Sequence, residues 1–260
     1  VEQGDPCDAL KPLLLSAPRN GVAAEQLVVS APEGVRGLRA EASALKGEGG
    51  GEIAAGSLTV RYARRTEGEQ SNPFDTLAPQ PADGEKTQPV WLTVRVPATA
   101  KPGRYAGSVK LSAAGLALSI PVELLVYDWL LPDPAEWKTW VTLLQSPETV
   151  ALQYKVPLWS EAHFALLEKS LALLGELGSK MATVQALRNS WLGSDPMIVF
   201  RREGQKLVPE PKFAERYLKL YSRHCGPPKV LCLQIWEVGA EGRDGQRPGT
   251  DFDRKLRIDR

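Results

Sequence analysis

The stretch that most constrains this chain is Val156 to Trp191, VPLWSEAHFALLEKSLALLGELGSKMATVQALRNSW. Ser160 is a good N-cap, and Glu161 falls in the first turn, where the helix dipole favours a negative charge. Phe164, Leu167, Leu171 and Leu174 recur at helical spacing, with Glu161, Glu168, Lys169 and Glu176 on the other face. Gly178 is placed to close the helix in the left-handed region. Met181 to Leu187 then reads as a short buried strand, and Arg188, Asn189 and Trp191 come where that strand ends.

The same unit brackets this stretch on both sides. Trp137 to Leu144 (WKTWVTLL) is the expected strand before it, ending at Gln145. After it come a hairpin from Met197 to Val208, turning at Glu203-Gly204, and a helix from about Pro211 to Cys225. Gly226-Pro227-Pro228 stops that helix, and Val230 to Trp236 (VLCLQIW) is the third apolar strand, followed by Glu237. Strands separated by helices predict a parallel sheet covered by helices. In a (β/α)8 barrel, polar and aromatic groups at the carboxyl ends of the strands form the active face. Gln145, Arg188, Asn189, Trp191, Trp236 and Glu237 are therefore the candidate substrate-binding residues.

The first half of the chain has the other period. Val90, Leu92, Val94 and Val96 alternate with polar neighbours, and Pro97 breaks the run. Tyr105 to Leu111 alternates next, and Leu116 to Val126 is the longest alternation, with Pro121 suggesting an edge or a bulge. Gln26 to Val29 and Leu58 to Tyr62 are shorter candidates. Short strands without intervening helices predict an antiparallel β-sandwich. The expected organisation is a lead-in over 1–12, a β-sandwich over 13–128, a linker over 129–136 and the first three β/α units of a TIM-type barrel over 137–237. A polar tail over 238–260 follows, disordered or cut short. An eight-stranded barrel takes ~250 residues, so the barrel predicted here is incomplete. Trp129, Trp137 and Trp140 are expected to be buried at the domain junction.

Several phrases carry a resemblance. LWSEAHFALLEKSLALLGELGSKMATV, SDPMIVFRREGQKLV and PKFAERYLKLYSRHCGPPKVLCLQIW resemble the opening of the catalytic barrel of glycoside hydrolase family 123. NGVAAEQLVVSAP, FDTLAPQP, QPVWLTVRVPATAKPGRYAGSVKL and LSIPVELLVYDWLLPD resemble the β-sandwich that precedes that barrel. The resemblance implies hydrolysis of β-linked N-acetylhexosamine, with the substrate's acetamido oxygen as nucleophile and a Glu as general acid/base. A neighbouring acidic or amide side chain would orient the acetamide. No Asp-Glu, Asn-Glu or other adjacent carboxylate pair occurs in the chain, so the catalytic residues carry over to no position here. The alternative reading is a non-enzymatic carbohydrate-binding or scaffold protein that keeps the sandwich. The resemblance also implies an extracytoplasmic location.

Other chemistry is thinly represented. A net charge of +1 gives no sign of a nucleic-acid partner, and no apolar run approaches the ~20 residues of a membrane span. The expected partner is a carbohydrate substrate, with no cofactor and no metal. Cys7, Cys225 and Cys232 make no disulfide framework, and Cys225 and Cys232 read as two buried thiols. His163 and His224 have no third partner for a triad and read as structural. The glycines between 47 and 51 precede no helix, which excludes a phosphate cradle.

Overall fold

The computed structural model describes residues 10–65, 76–188, 190, 193, 195–235 and 258–259. The chain divides into two compact units, Val1–Pro132 and Asp133–Arg260.

The first unit is built of two sheets. One contains β1 (Leu13–Arg19), β3 (Arg39–Ala42), β4 (Leu45–Gly47), β5 (Glu52–Ile53), β9 (Gly103–Ala113) and β10 (Leu116–Leu130), in the order β1-β10-β9-β4-β5 with β3 also on β9. The other orders β2 (Val22–Ser30), β8 (Thr87–Arg95), β6 (Leu58–Arg64) and β7 (Thr76–Ala78) as β2-β8-β6-β7. The alternating residues of both sheets enter one apolar cluster, with Val90, Leu92 and Val94 from the second and Val109, Val122 and Leu124 from the first. Each fully buried side chain of this size contributes about 1.5–3 kcal/mol.

Not every pairing is antiparallel, as the alternation suggested. β1 runs parallel to β10, Leu13 beside Val122. These are the first and last strands of the unit, so no short turn dictates their direction. β10 as a whole lies between β1 and β9, yet Pro121 itself has the local edge position that the sequence suggested. It precedes Val122, the first partner of β1, and so falls where β10 has a neighbour on one side only.

The second unit contains α1 (Pro147–Tyr154), α2 (Glu161–Glu176), β11 (Met181–Gln185), β12 (Val199–Glu203), β13 (Lys206–Glu210), α3 (Lys212–Cys225), β14 (Val230–Gln234) and β15 (Ile258–Asp259). Ser160 caps α2 as its sequence predicts, accepting from the His163 N–H at 3.2 Å. Gly178, at φ 70°, closes it. β11 and β14 pair in parallel from Met181–Val230 to Gln185–Gln234. Phe164, Leu167 and Leu171 of α2, Tyr217 and Tyr221 of α3, and Ala182 and Val184 of β11 share one core.

Four expectations are corrected in this unit and at its edge. Trp137 to Leu144 forms no strand but a single parallel bridge, Val141 to Ser179. The Ser146 cap and Pro147 start α1 directly afterwards and lead the chain out of the sheet. Trp129 and Trp140 are each 54% exposed, so neither is buried as expected. Trp129 lies beyond the last β9 partner of β10, and Trp140 stands in coil beside the bridge. Only Trp137 is half-buried, its ring against Gly178. Cys232 is exposed, like its strand neighbours Leu231 and Leu233, whereas Cys225 is half-buried. Finally, Ile258 and Asp259, inside the tail expected to be disordered or cut short, pair in parallel with Phe200 and Arg201. The rest of that tail lies outside the described residues.

Candidate functional site

The carboxyl ends of β11 and β14 bring polar side chains together. In the β11 register, Ala182 and Val184 turn toward the helices. Gln185 belongs to the alternate set, beside Gln234 of β14. Gln185 is only 2% exposed. Its Nε2 donates to the Leu187 carbonyl and to the Gly193 carbonyl, each at 2.8 Å.

The loop that follows is tied at several points. Ala186 N–H donates to the Gln234 carbonyl at 3.1 Å, and Met197 N–H to the Gln185 carbonyl at 2.8 Å. Ser190 and Gly193 exchange backbone bonds of 2.9 and 3.1 Å. Gly193 has φ 153°, and a Cβ there would lie 2.5 Å from Glu148 Oε2. The dihedral favours glycine, and a side chain there would have to displace the Glu148 carboxylate. Glu148 stands in the first turn of α1, which sets this carboxylate against the loop.

Arg188 leaves the loop toward solvent. Its Nε lies 4.0 Å from Asp195 Oδ1, and its side chain is 47% exposed. Gln145 is held elsewhere, donating through Nε2 to Ser170 Oγ of α2. The Oε1 atoms of Gln145 and Gln234 are buried without a hydrogen-bond partner among the described residues. Asn189, Trp191, Trp236 and Glu237 lie outside the described residues. The sequence reading missed Gln185, Gln234 and Glu148. A glutamine closing each of two apolar strands was the available signal for the first pair.

Behind the strands, His163 is wholly buried. The Trp159 N–H donates to its Nδ1 at 3.0 Å, so Nε2 carries the proton and donates to the Pro147 carbonyl at 2.8 Å. Burial lowers its pKa, opposed by the Pro147 bond. Trp159 takes φ 61°, a strained value for a bulky residue, and stacks on Phe213 at 5.5 Å. His224 meets Glu168 at 3.2 Å. Both histidines thus bind helix and loop groups, as structural residues do. At the strand ends the carboxamides are buried, and among the described residues there the exposed group is the Arg188 guanidinium, a donor suited to hydroxyl and carbonyl acceptors.

By fold the chain is a two-unit protein, a β-rich unit followed by parallel strands covered by helices. The glycoside hydrolase 123 catalytic domain matches residues 144–237, and the glycoside hydrolase 123 N-terminal domain matches residues 71–113. The chain belongs to this family. Among solved structures it is similar to a family 123 glycoside hydrolase from Clostridium perfringens studied for glycolipid glycan hydrolysis. That likeness has TM-score 0.75 and 21% identity, and covers 87% of this chain and 44% of the other. This chain therefore spans less than half the length of that enzyme. The CooA pilin subunit of enterotoxigenic Escherichia coli is 12% identical, with TM-score 0.26, over 45% of this chain and 90% of its own. MyfA of Yersinia enterocolitica is 13% identical, with TM-score 0.28, over 46% of this chain and 94% of its own. These two scores carry no argument. No curated protein sequence matches the chain.

Proposed function

We propose that this chain is the N-terminal part of a glycoside hydrolase that cleaves β-linked N-acetylhexosamine glycans with the substrate acetamide as nucleophile. In this reading the two sheets of the first unit are the family's β-sandwich, and the second unit opens a (β/α)8 barrel. Arg188 hydrogen-bonds sugar hydroxyls from the end of β11, and Gln145, Asn189, Trp191, Trp236 and Glu237 complete the substrate face. The catalytic carboxyl pair stands outside these residues, and the protein works outside the cytoplasm.

The observation that carries the reading is the catalytic-domain match over 144–237, which spans β11, its loop and β14. The absence of any adjacent carboxylate pair in the sequence agrees with a catalytic centre supplied elsewhere. The reading also accounts for β14, whose Leu231 and Leu233 are half-exposed, since a barrel would place a further strand beside it.

The test is a calorimetric titration of the chain with N-acetylgalactosamine and with galactose. Binding of the acetamido sugar that weakens in Arg188→Ala is expected. Equal or absent response to both sugars would sink the reading. Fractionation of the source cells checks the location.

A further inference from the structure

Gln185 ends a buried strand, yet its carboxamide is spent on the loop beyond it. The two Nε2 protons reach the Leu187 carbonyl on the outgoing arm and the Gly193 carbonyl on the returning arm, each at 2.8 Å. The Leu187 carbonyl belongs to the same peptide plane as the Arg188 N–H, so this bond holds the peptide from which Arg188 departs. The Gly193 carbonyl also accepts from the Ser190 N–H, and Gly193 N–H donates back to the Ser190 carbonyl, which ties the two arms of the loop together. Asp195, at 4.0 Å from Arg188 and near the surface, is too loose a partner to fix the guanidinium alone.

We propose that Gln185 is a positioning residue that holds Arg188 in place to meet a glycan hydroxyl. This rests on the reading above that the end of β11 faces the glycan. A glutamine fits the task because one side chain supplies two donors from a single planar group, whereas a carboxylate at the same place would face two carbonyls with none. Its burial keeps both bonds out of competition with water.

The experiment is a double-mutant cycle on the full chain, with N-acetylgalactosamine as probe and affinity read by calorimetry. Gln185→Leu and Arg188→Ala should each weaken binding about tenfold, and the double variant should bind no worse than the weaker single one. Losses that multiply, or undiminished binding by Gln185→Leu beside a weakened Arg188→Ala, would overturn the proposal. Gln185→Glu, which keeps the side-chain shape and removes the donors, serves if the leucine variant does not fold. Amide hydrogen exchange separates this inference from the reading beneath it. If the unaltered chain binds no sugar, the glycan reading fails, and exchange then judges the loop. Faster exchange at Ser190 and Gly193 in Gln185→Leu, with β11 amides unchanged, supports the positioning role. Unchanged exchange there overturns it.

Discussion

Arg216 of α3 pairs through both Nη atoms with the two carboxylate oxygens of Glu161 on α2, and its guanidinium lies 4.0 Å from the centre of the Phe164 ring. Arg223 meets Glu168 at the same offset along the two helices, so α2 and α3 run in the same direction. That is the arrangement that parallel strands β11 and β14 require of helices covering one face. The ion pair holds the Glu161 carboxyl below its ordinary pKa.

Removal of Arg216 should therefore cost more than removal of its partner. Glu161 is exposed and its pair is screened by water and salt, so Glu161→Gln should leave the melting temperature nearly unchanged. Arg216→Ala also uncovers the Phe164 ring and should destabilise by about 1 kcal/mol. Thermal unfolding of both variants checks this, and equal effects would refute the cation–ring contribution.

Gly178 makes a second stability prediction. Its φ of 70° is left-handed, and a Cβ would stand 2.7 Å from Trp137 Cε3. Gly178→Ala should cost about 1–3 kcal/mol, from the backbone strain and the displaced ring. Gly204, also at positive φ but with open space around it, should cost less as Gly204→Ala. Denaturant midpoints of the two variants give the comparison.

Acid should destabilise the second unit in two separate windows. Burial depresses the pKa of His163 below 6.5, so below pH 6.5 the unfolded chain binds more protons than the folded one. Stability is then full above pH 6.5 and falls on acidification until the folded pKa is reached, by at most about 1.4 kcal/mol per pH unit. Glu161 and Glu168 are depressed carboxyls whose contribution is present above pH 4.5 and lost below it, and because both pairs are exposed and screened this second window is far shallower than that of His163. Unfolding midpoints measured between pH 7.5 and pH 5 should slope in the natural chain and flatten in His163→Gln.

Local patterns were legible in the sequence, and long-range pairings were not. Val90, Leu92 and Val94 sit in the core as their alternation predicts, and the α2 positions Phe164, Leu167 and Leu171 do so at helical spacing. The parallel β1–β10 pair left no local trace, because Leu13 and Val122 meet through tertiary packing alone. Trp137 to Leu144 has the apolar content of a strand, but Ser146 and Pro147 were stronger local signals for α1. At the site, Arg188 was visible as a polar residue after a strand. Gln185 was hidden within that strand, since its role depends on carbonyls that only the folded loop returns to it.

The last prediction is that this chain by itself hydrolyses no N-acetylhexosaminide. Substrate-assisted hydrolysis needs a carboxyl to protonate the leaving oxygen and an adjacent group to hold the acetamide. The sequence contains no two adjacent carboxylates and no Asn-Glu pair. Glu237 could protonate a leaving group, yet its neighbours Trp236 and Val238 cannot orient an amide. β14 pairs with β11 alone among the described residues, and Leu231 and Leu233 stand half-exposed, where a closed barrel would cover them. Incubation with an aryl N-acetyl-β-galactosaminide should release no product above the buffer rate. Activity should appear only when a downstream segment carrying the carboxyl pair is joined to it. Turnover by the purified chain that vanishes in Glu237→Gln would instead make Glu237 the catalytic acid.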